Sequence, residues 1–282
     1  MVFGIGLLST MDAMAKWLTG GGVPALQILA LRSLVIIPLL LLVFWYRGEL
    51  AQLKPVRLKH HFFRGVIGFF SPLTFFIGIA LIPLTDAVVV FFSSTFVITI
   101  LSIFVLGEKV GIHRWGSIVL GFIGVLIVAG PKGGGELSGY LLVFLGSVGY
   151  AILFVSGRYM TATETVASLV FSFNLTVGII SLLLLPWFWQ AISQNQILLV
   201  LALALFAVAG HFLLTLAFSK SEASLIAPIE YTAIIWAIAF DWFVWKSSPT
   251  LTTSIGAAIV IGSGLYIVYR ERLNHVAHQR IS

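Results

Sequence analysis

The sequence predicts an all-α integral membrane protein with ten transmembrane helices in two inverted-topology five-helix repeats. Three observations carry that expectation. About ten runs of roughly 17–25 mostly apolar residues fill the chain, each long enough to cross a bilayer as a helix. The 282 residues are 60% hydrophobic and only 9% charged, with a mean hydropathy of +1.10. That is more apolar surface than a soluble domain of this size can hide. Finally, acids and small residues recur at a nearly constant offset between the two halves.

Span one covers residues 1–19 and starts at Met1 with no basic n-region and no small-residue cleavage site. It is expected to be retained, not cleaved as a signal peptide. Gly20-Gly21-Gly22 ends it, and span two follows at 24–46 with Arg32 inside it. The longest connection, from Tyr46 to His60, is punctuated by Pro55 and is too short for a soluble domain. Span three (62–82) carries Ser71, Thr74 and Gly78 on one face; span four (85–106) opens with Asp86-Ala87 and carries Thr95, Thr99 and Ser102. Span five (114–130) is apolar from Ile118 to Ala129, and Pro131 with Gly133-Gly134-Gly135 breaks the chain after it. Spans six (137–157), seven (165–189, with Ser168, Ser172 and Thr176) and eight (196–218, with His211, Thr215 and Ser219) follow. Span nine (223–245) contains Pro228, Glu230, Tyr231 and Trp236, and Pro249 separates it from span ten (251–270), whose polar positions are Ser254 and Ser263. The polar stripes suggest cavity walls, although Ser and Thr in membrane helices also bond their own i−4 carbonyls. The two bare spans, five and ten, are expected at the periphery as scaffold.

Charge sets the orientation. Ten spans place both termini on one side, with Arg47, Lys54, Arg57, Lys59, Arg64, Lys109, Arg114, Arg158, Lys220, Arg270, Arg272 and Arg280. The other side holds only Lys16, Lys132 and Lys246. Positive charge favours the cytoplasm, so both termini and the tail 272–282 are expected there. These basic residues are dispersed over loops, where they meet lipid headgroups; no nucleic-acid partner is expected.

The halves resemble each other. Asp86-Ala87 recurs as Glu222-Ala223, 136 residues on, and Gly116 and Gly124 recur as Gly256 and Gly264, 140 residues on. Ser117/Gly121 and Ala258/Gly262 form matching small-xxx-small pairs. A repeat of five spans is odd, so the second copy (137–271) lies upside down relative to the first (1–132). Such repeats place a substrate site at the midplane between them.

Asp12, Arg32, His211 and Glu230 lie deep in spans, where a charge costs at least ~2.5–3.5 kcal/mol. Asp12 either pairs with Lys16 one turn away or faces a substrate. Arg32 either bonds carbonyls or neutralises a carboxylate on another helix. His211 is an interhelical hydrogen bonder or a proton relay. Glu230, beside Tyr231 and two residues after the helix breaker Pro228, is the best functional candidate. Asp86, Glu108 and Asp241, near span ends, read as interfacial or capping groups. Most Trp and Tyr are expected in the interfacial belts; Trp236, deep in span nine, either lines the site or simply packs.

The chain has no cysteine, no G-x-x-x-x-G-K-[ST], no H-E-x-x-H and no G-x-S-x-G. No catalytic residue, metal or cofactor is therefore expected.

Leu106-Gly107-Glu108-Lys109 followed by Gly116 to Gly124 resembles the end of an EamA-type domain of the drug/metabolite transporter superfamily. The run Ala227-Pro228-Ile229-Glu230-Tyr231-Thr232-Ala233, with Trp236, Trp242, Pro249-Thr250, Gly256-Ala257-Ala258 and Gly264-Leu265-Tyr266, resembles the second such domain of bacterial members. The resemblance covers nearly the whole chain. It implies ten helices in two inverted repeats in the bacterial inner membrane, and export of metabolites such as amino acids. Lys246-Ser247 replace the Gly-Glu pair that normally ends the ninth helix, leaving Glu108 alone in that role. YddG-type exporters of aromatic and other neutral amino acids are the suggested subgroup.

The reading is a secondary exporter of amino acids or similar metabolites, expected to work as a monomer by alternating access. Asp12, Arg32, His211, Glu230, Tyr231 and Trp236 are its candidate binding or gating residues. Efflux of lipophilic or quaternary-ammonium cations is the alternative, and a non-transporting membrane scaffold is the second.

Overall fold

Every element in the computed structural model is helical. It describes residues 1–107, 111–130, 135–220 and 229–279. The helices are α1 (Val2–Gly20), α2 (Ala25–Tyr46), α3 (Leu58–Leu81), α4 (Leu84–Phe91), α5 (Ser93–Leu106) and α6 (Ile112–Val128), then α7 (Leu137–Met160), α8 (Val166–Phe188), α9 (Gln194–Lys220), α10 (Thr232–Trp245) and α11 (Leu251–Gln279). A 3₁₀ turn (Leu50–Leu53) lies between α2 and α3. Among the described residues, seven segments are long and apolar enough to cross a membrane: 25–46, 58–81, 84–106, 137–160, 166–188, 194–214 and 251–270. The helices α6 and α10 are apolar but shorter, and α1 carries Asp12 and Lys16 within its nineteen residues.

Local chemistry explains the boundaries. Pro24 and Pro83, both extended at the residue before the helix, launch α2 and α4 where a missing N–H costs nothing. Thr165 caps α8 by accepting the N–H of Ser168 at 3.0 Å. α5 and α10 end in left-handed caps, Gly107 at φ 69° and Lys246 at φ 54°. Their capping N–H groups reach the carbonyls of Ser102 and Asp241. Span four is not continuous: Phe92 breaks it between α4 and α5. Tyr231 forms the matching break before α10, 139 residues later. The helix α11 runs nine residues past the expected end of span ten. Glu108, Lys109, Lys132, Arg280 and the Pro228 kink lie outside the described residues.

Packing pairs the helices. α1 lies against α9 as α7 lies against α3, while α2 faces α8 and α6 faces α11. Backbones touch along α6 and α11, where a Cβ on Gly256 would sit 2.6 Å from the Gly124 carbonyl oxygen. These two helices meet the rest of the bundle mainly through α4 and α5, in line with a peripheral position. Phe76, Phe96, Leu18, Ile28, Leu29 and Leu84 are fully buried between the helices. Trp45, Trp187, Trp189 and Trp242 are exposed at or near helix ends, as belt residues should be.

Contacts at the two ends fix helix directions. The C-terminal ends of α1, α3 and α10 meet the N-terminal ends of α4, α7 and α11. At the opposite end, the C-terminus of α7 meets the N-termini of α3 and α8.

Candidate functional site

Two groups of ionisable side chains sit inside the bundle, and a hydrogen-bonded network closes one end. Asp12 on α1 and Arg32 on α2 are electrostatic partners but do not touch as an ion pair. Arg32 is 8% exposed, its guanidinium lies 5.9 Å from the Phe76 ring centroid of α3, and its Nε is buried with no hydrogen-bond partner. His211 on α9 lies in the field of the same arginine. The residue is exposed at the helix surface.

The pairing of Asp12 with Lys16 does not form. Lys16 Nζ instead donates to the carbonyls of Ile79 at 2.6 Å and Ile82 at 2.5 Å, where α3 ends. Those carbonyls have no intrahelical donors, and a cation at a helix C-terminus is favourable. The tertiary partner outcompetes the local one.

The second group surrounds Glu230. Tyr231 stacks on Phe92 with centroids 4.7 Å apart, so the two helix-break residues touch. Its hydroxyl fills the notch left by Gly264 of α11, where a Cβ could not fit. Tyr150 of α7 and Tyr231 are the groups in electrostatic contact with Glu230. Phe91 lies between Tyr150 (5.4 Å) and Phe75 (4.9 Å). Trp236 packs on α1 at Gly6, about two turns before Asp12. Pro228, three residues before the break at Tyr231, lies outside the described residues. Thr232 Oγ1 donates to the Ile229 carbonyl at 2.7 Å, satisfying an acceptor near the break.

At the closed end, Asp241 of α10 accepts the N–H of Leu84 (3.0 Å) and both the N–H and hydroxyl of Thr85 (2.7 Å each). It caps α4 from another helix. Asp86 accepts from Tyr140 of α7 at 2.5 Å and from Thr253 of α11 at 2.6 Å. With Lys16 nearby, five helices are tied together. Asp241 is thus a capping group, and Asp86 ties the side chains of α7 and α11 to α4.

At the other end, Glu164 fastens the link before α3 to the link before α8. Its carboxylate accepts the N–H groups of Val56 (3.1 Å) and Arg57 (2.6 Å) and the hydroxyl of Ser168, and it lies 3.1 Å from His61 Nε2. Burial pushes this carboxyl up, but the Val56 and Arg57 N–H groups and His61 outweigh burial and hold it at about 2.

The polar stripes mostly report packing. Thr74, Thr99 and Thr176 donate to carbonyls one turn back, and Ser71 to Gly146 of α7. The side chains of Thr215 and Ser219 are outside the description. Sequence reasoning missed Tyr150, Tyr140 and the Glu164–His61 contact. Tyr150 stands in the middle of a span, a depth at which a belt tyrosine is out of place, and that was the available signal.

The model of the EamA-like transporter family matches the chain twice, at residues 2–130 and 137–269. An S-adenosylmethionine uptake transporter of Rickettsia felis is 28% identical over 268 residues, covering 94% of this chain and 89% of the relative. The pseudopaline exporter CntI of Pseudomonas aeruginosa is 26% identical over 258 residues, covering 90% and 89%. A solved crystal structure shares the fold, with a TM-score of 0.65 at 19% identity over 96% of both chains.

Proposed function

This chain belongs to the EamA-like transporter family, and from that premise we propose that it exports amino acids, aromatic or neutral, or similar small metabolites across the bacterial inner membrane by alternating access. It is a membrane transporter of small molecules and not an enzyme. The observation that carries the substrate class is the Asp12–Arg32 pair. The two side chains come from separate helices, face each other electrostatically, and stop short of an ion pair. An amino acid offers the complementary ammonium and carboxylate. Arg32, with a buried Nε lacking an acceptor, suits the carboxylate, and Asp12 the ammonium. S-adenosylmethionine, the solute named for the uptake relatives, carries such a head group. Relatives named for uptake and for export both occur, so direction follows the gradient, not the fold.

The architecture proposed is ten spans, with 1–132 and 137–271 as inverted repeats, 272–282 as a cytoplasmic tail, and a monomer as the working unit. Helix directions support it: α1 ends at the closed end, whereas its counterpart α7 begins there. By the positive-inside rule the closed end is periplasmic.

Efflux or uptake in proteoliposomes, with and without a pH gradient, against a panel of neutral and aromatic amino acids tests this. Wild type should move at least one of them, and Arg32→Gln should lower that transport by about tenfold or more, the worth of a charge-assisted hydrogen bond. Transport of no amino acid, or an unimpaired Arg32→Gln, would refute it. The cation-efflux reading is favoured by the surroundings of Glu230.

A further inference from the structure

Glu230 lies just before the break at Tyr231, two residues ahead of α10, and is half-buried. Among the described residues no Lys, Arg or His forms an ion pair with it. Its electrostatic neighbours are the two phenols of Tyr150 and Tyr231. A carboxyl at this depth either holds its proton or pairs with a cation, and no cation among the described residues does so. The rings around it come from three directions. Phe91 and Phe92 flank the break between α4 and α5, Tyr150 projects from α7, and Tyr231 is the break residue itself. Tyr150 is 37% exposed.

We infer that Glu230, Phe91, Phe92, Tyr150 and Tyr231 form a subsite for an organic cation, a quaternary ammonium or sulfonium group, separate from the Asp12–Arg32 pair. This rests on the transporter reading above and adds a second recognition element to it. The choice of cation follows from the wall chemistry. A primary ammonium keeps strong hydration and needs several hydrogen-bond acceptors, and the described groups linked to this carboxyl are the phenols of Tyr150 and Tyr231, which contact Phe91 and Phe92. An alkylated cation has no N–H to satisfy, sheds water readily and gains from ring quadrupoles. The carboxylate supplies the opposing charge and the rings supply a polarisable wall. A substrate bearing both an amino-acid head group and an alkylated cation would engage both sites.

The test is calorimetric titration of the purified full-length protein in detergent with S-methylmethionine, methionine and choline. S-methylmethionine should bind about tenfold tighter than methionine, and choline, which lacks the head group, should bind measurably. Glu230→Gln should erase both the tenfold preference and choline binding. Tyr150→Leu should weaken S-methylmethionine and choline about threefold, and Tyr150→Phe should restore them; this pair decides the matter if Glu230→Gln does not fold. Equal affinities for S-methylmethionine and methionine in the wild type, or a preference that survives Glu230→Gln, would overturn the subsite. Choline bound without methionine would overturn the head-group reading and leave the subsite standing.

Discussion

Asp241→Asn should unlatch the closed end of the bundle. The carboxylate is 1% exposed and accepts three hydrogen bonds from the first turn of α4, two of them at Oδ2 from Thr85. Asparagine keeps one carbonyl oxygen; placed at the Oδ2 position it retains both Thr85 bonds, and its amide N–H then faces the Leu84 N–H. One charge-assisted bond is lost at about 1.5 kcal/mol, and the buried Leu84 N–H left without an acceptor costs about 1.5 kcal/mol more. The closed arrangement is therefore weakened by about 3 kcal/mol, a factor on the order of 150 in the closed-to-open ratio. The cysteine-free chain makes the assay simple. Ser9→Cys places a thiol on α1, buried at 4% exposure on the face that carries Asp12 and Lys16. In that background, an impermeant maleimide applied from the side of Gln194 should label the Asp241→Asn variant about two orders of magnitude faster than its parent. Unchanged labelling in a folded protein of unchanged Tm would show that the carboxylate does not hold this end shut.

Glu164→Gln should lower the midpoint of thermal unfolding at neutral pH. A carboxylate held at about 2 adds its full stability above the ordinary value of 4.5 and loses it as pH falls toward 2. The gap between wild type and variant should therefore close over that window, and a gap constant from pH 7 to pH 2.5 would contradict the hydrogen-bond account. Lys246→Gly should stabilise the protein by about 1 kcal/mol in denaturant titration, because Lys246 holds a left-handed φ of 54° that glycine adopts without a Cβ penalty; a loss of stability would mean that the lysine side chain outweighs its backbone strain. Single cysteines at Gln52 and Gln194 should be, respectively, protected from and reactive to an impermeant thiol reagent in intact cells. The reverse pattern would reject the orientation drawn from Lys and Arg.

Much of the architecture was legible because its signals are local. Apolar runs as long as a bilayer is thick mark spans without tertiary information, and the bare fifth and tenth spans pair as α6 and α11. The site was less legible because its pairings are distant in sequence. Asp12 and Lys16, one turn apart, invited a local ion pair, yet Arg32 and the carbonyls of Ile79 and Ile82 are the tertiary partners. Asp241 was recognisable as an end group, but its ligand is the start of a helix 156 residues away. Tyr150 was hidden by its residue type, since tyrosine in a membrane protein is usually interfacial. The break at Phe92 has no proline beside it to announce it, and its contact with Tyr231, which unites the two breaks, depends on the folded chain.

The contact between Phe92 and Tyr231 has a mechanical consequence. Each ring sits at a break in its helix, and the two rings bear on each other. A half-helix that tilts on one side must roll its ring against the other, so the bend is transmitted across the midline like the rocking of two cams. Because the meeting point is the fulcrum of both levers, it travels least while the helix ends travel most. Opening one end and shutting the other then require little repacking at the centre.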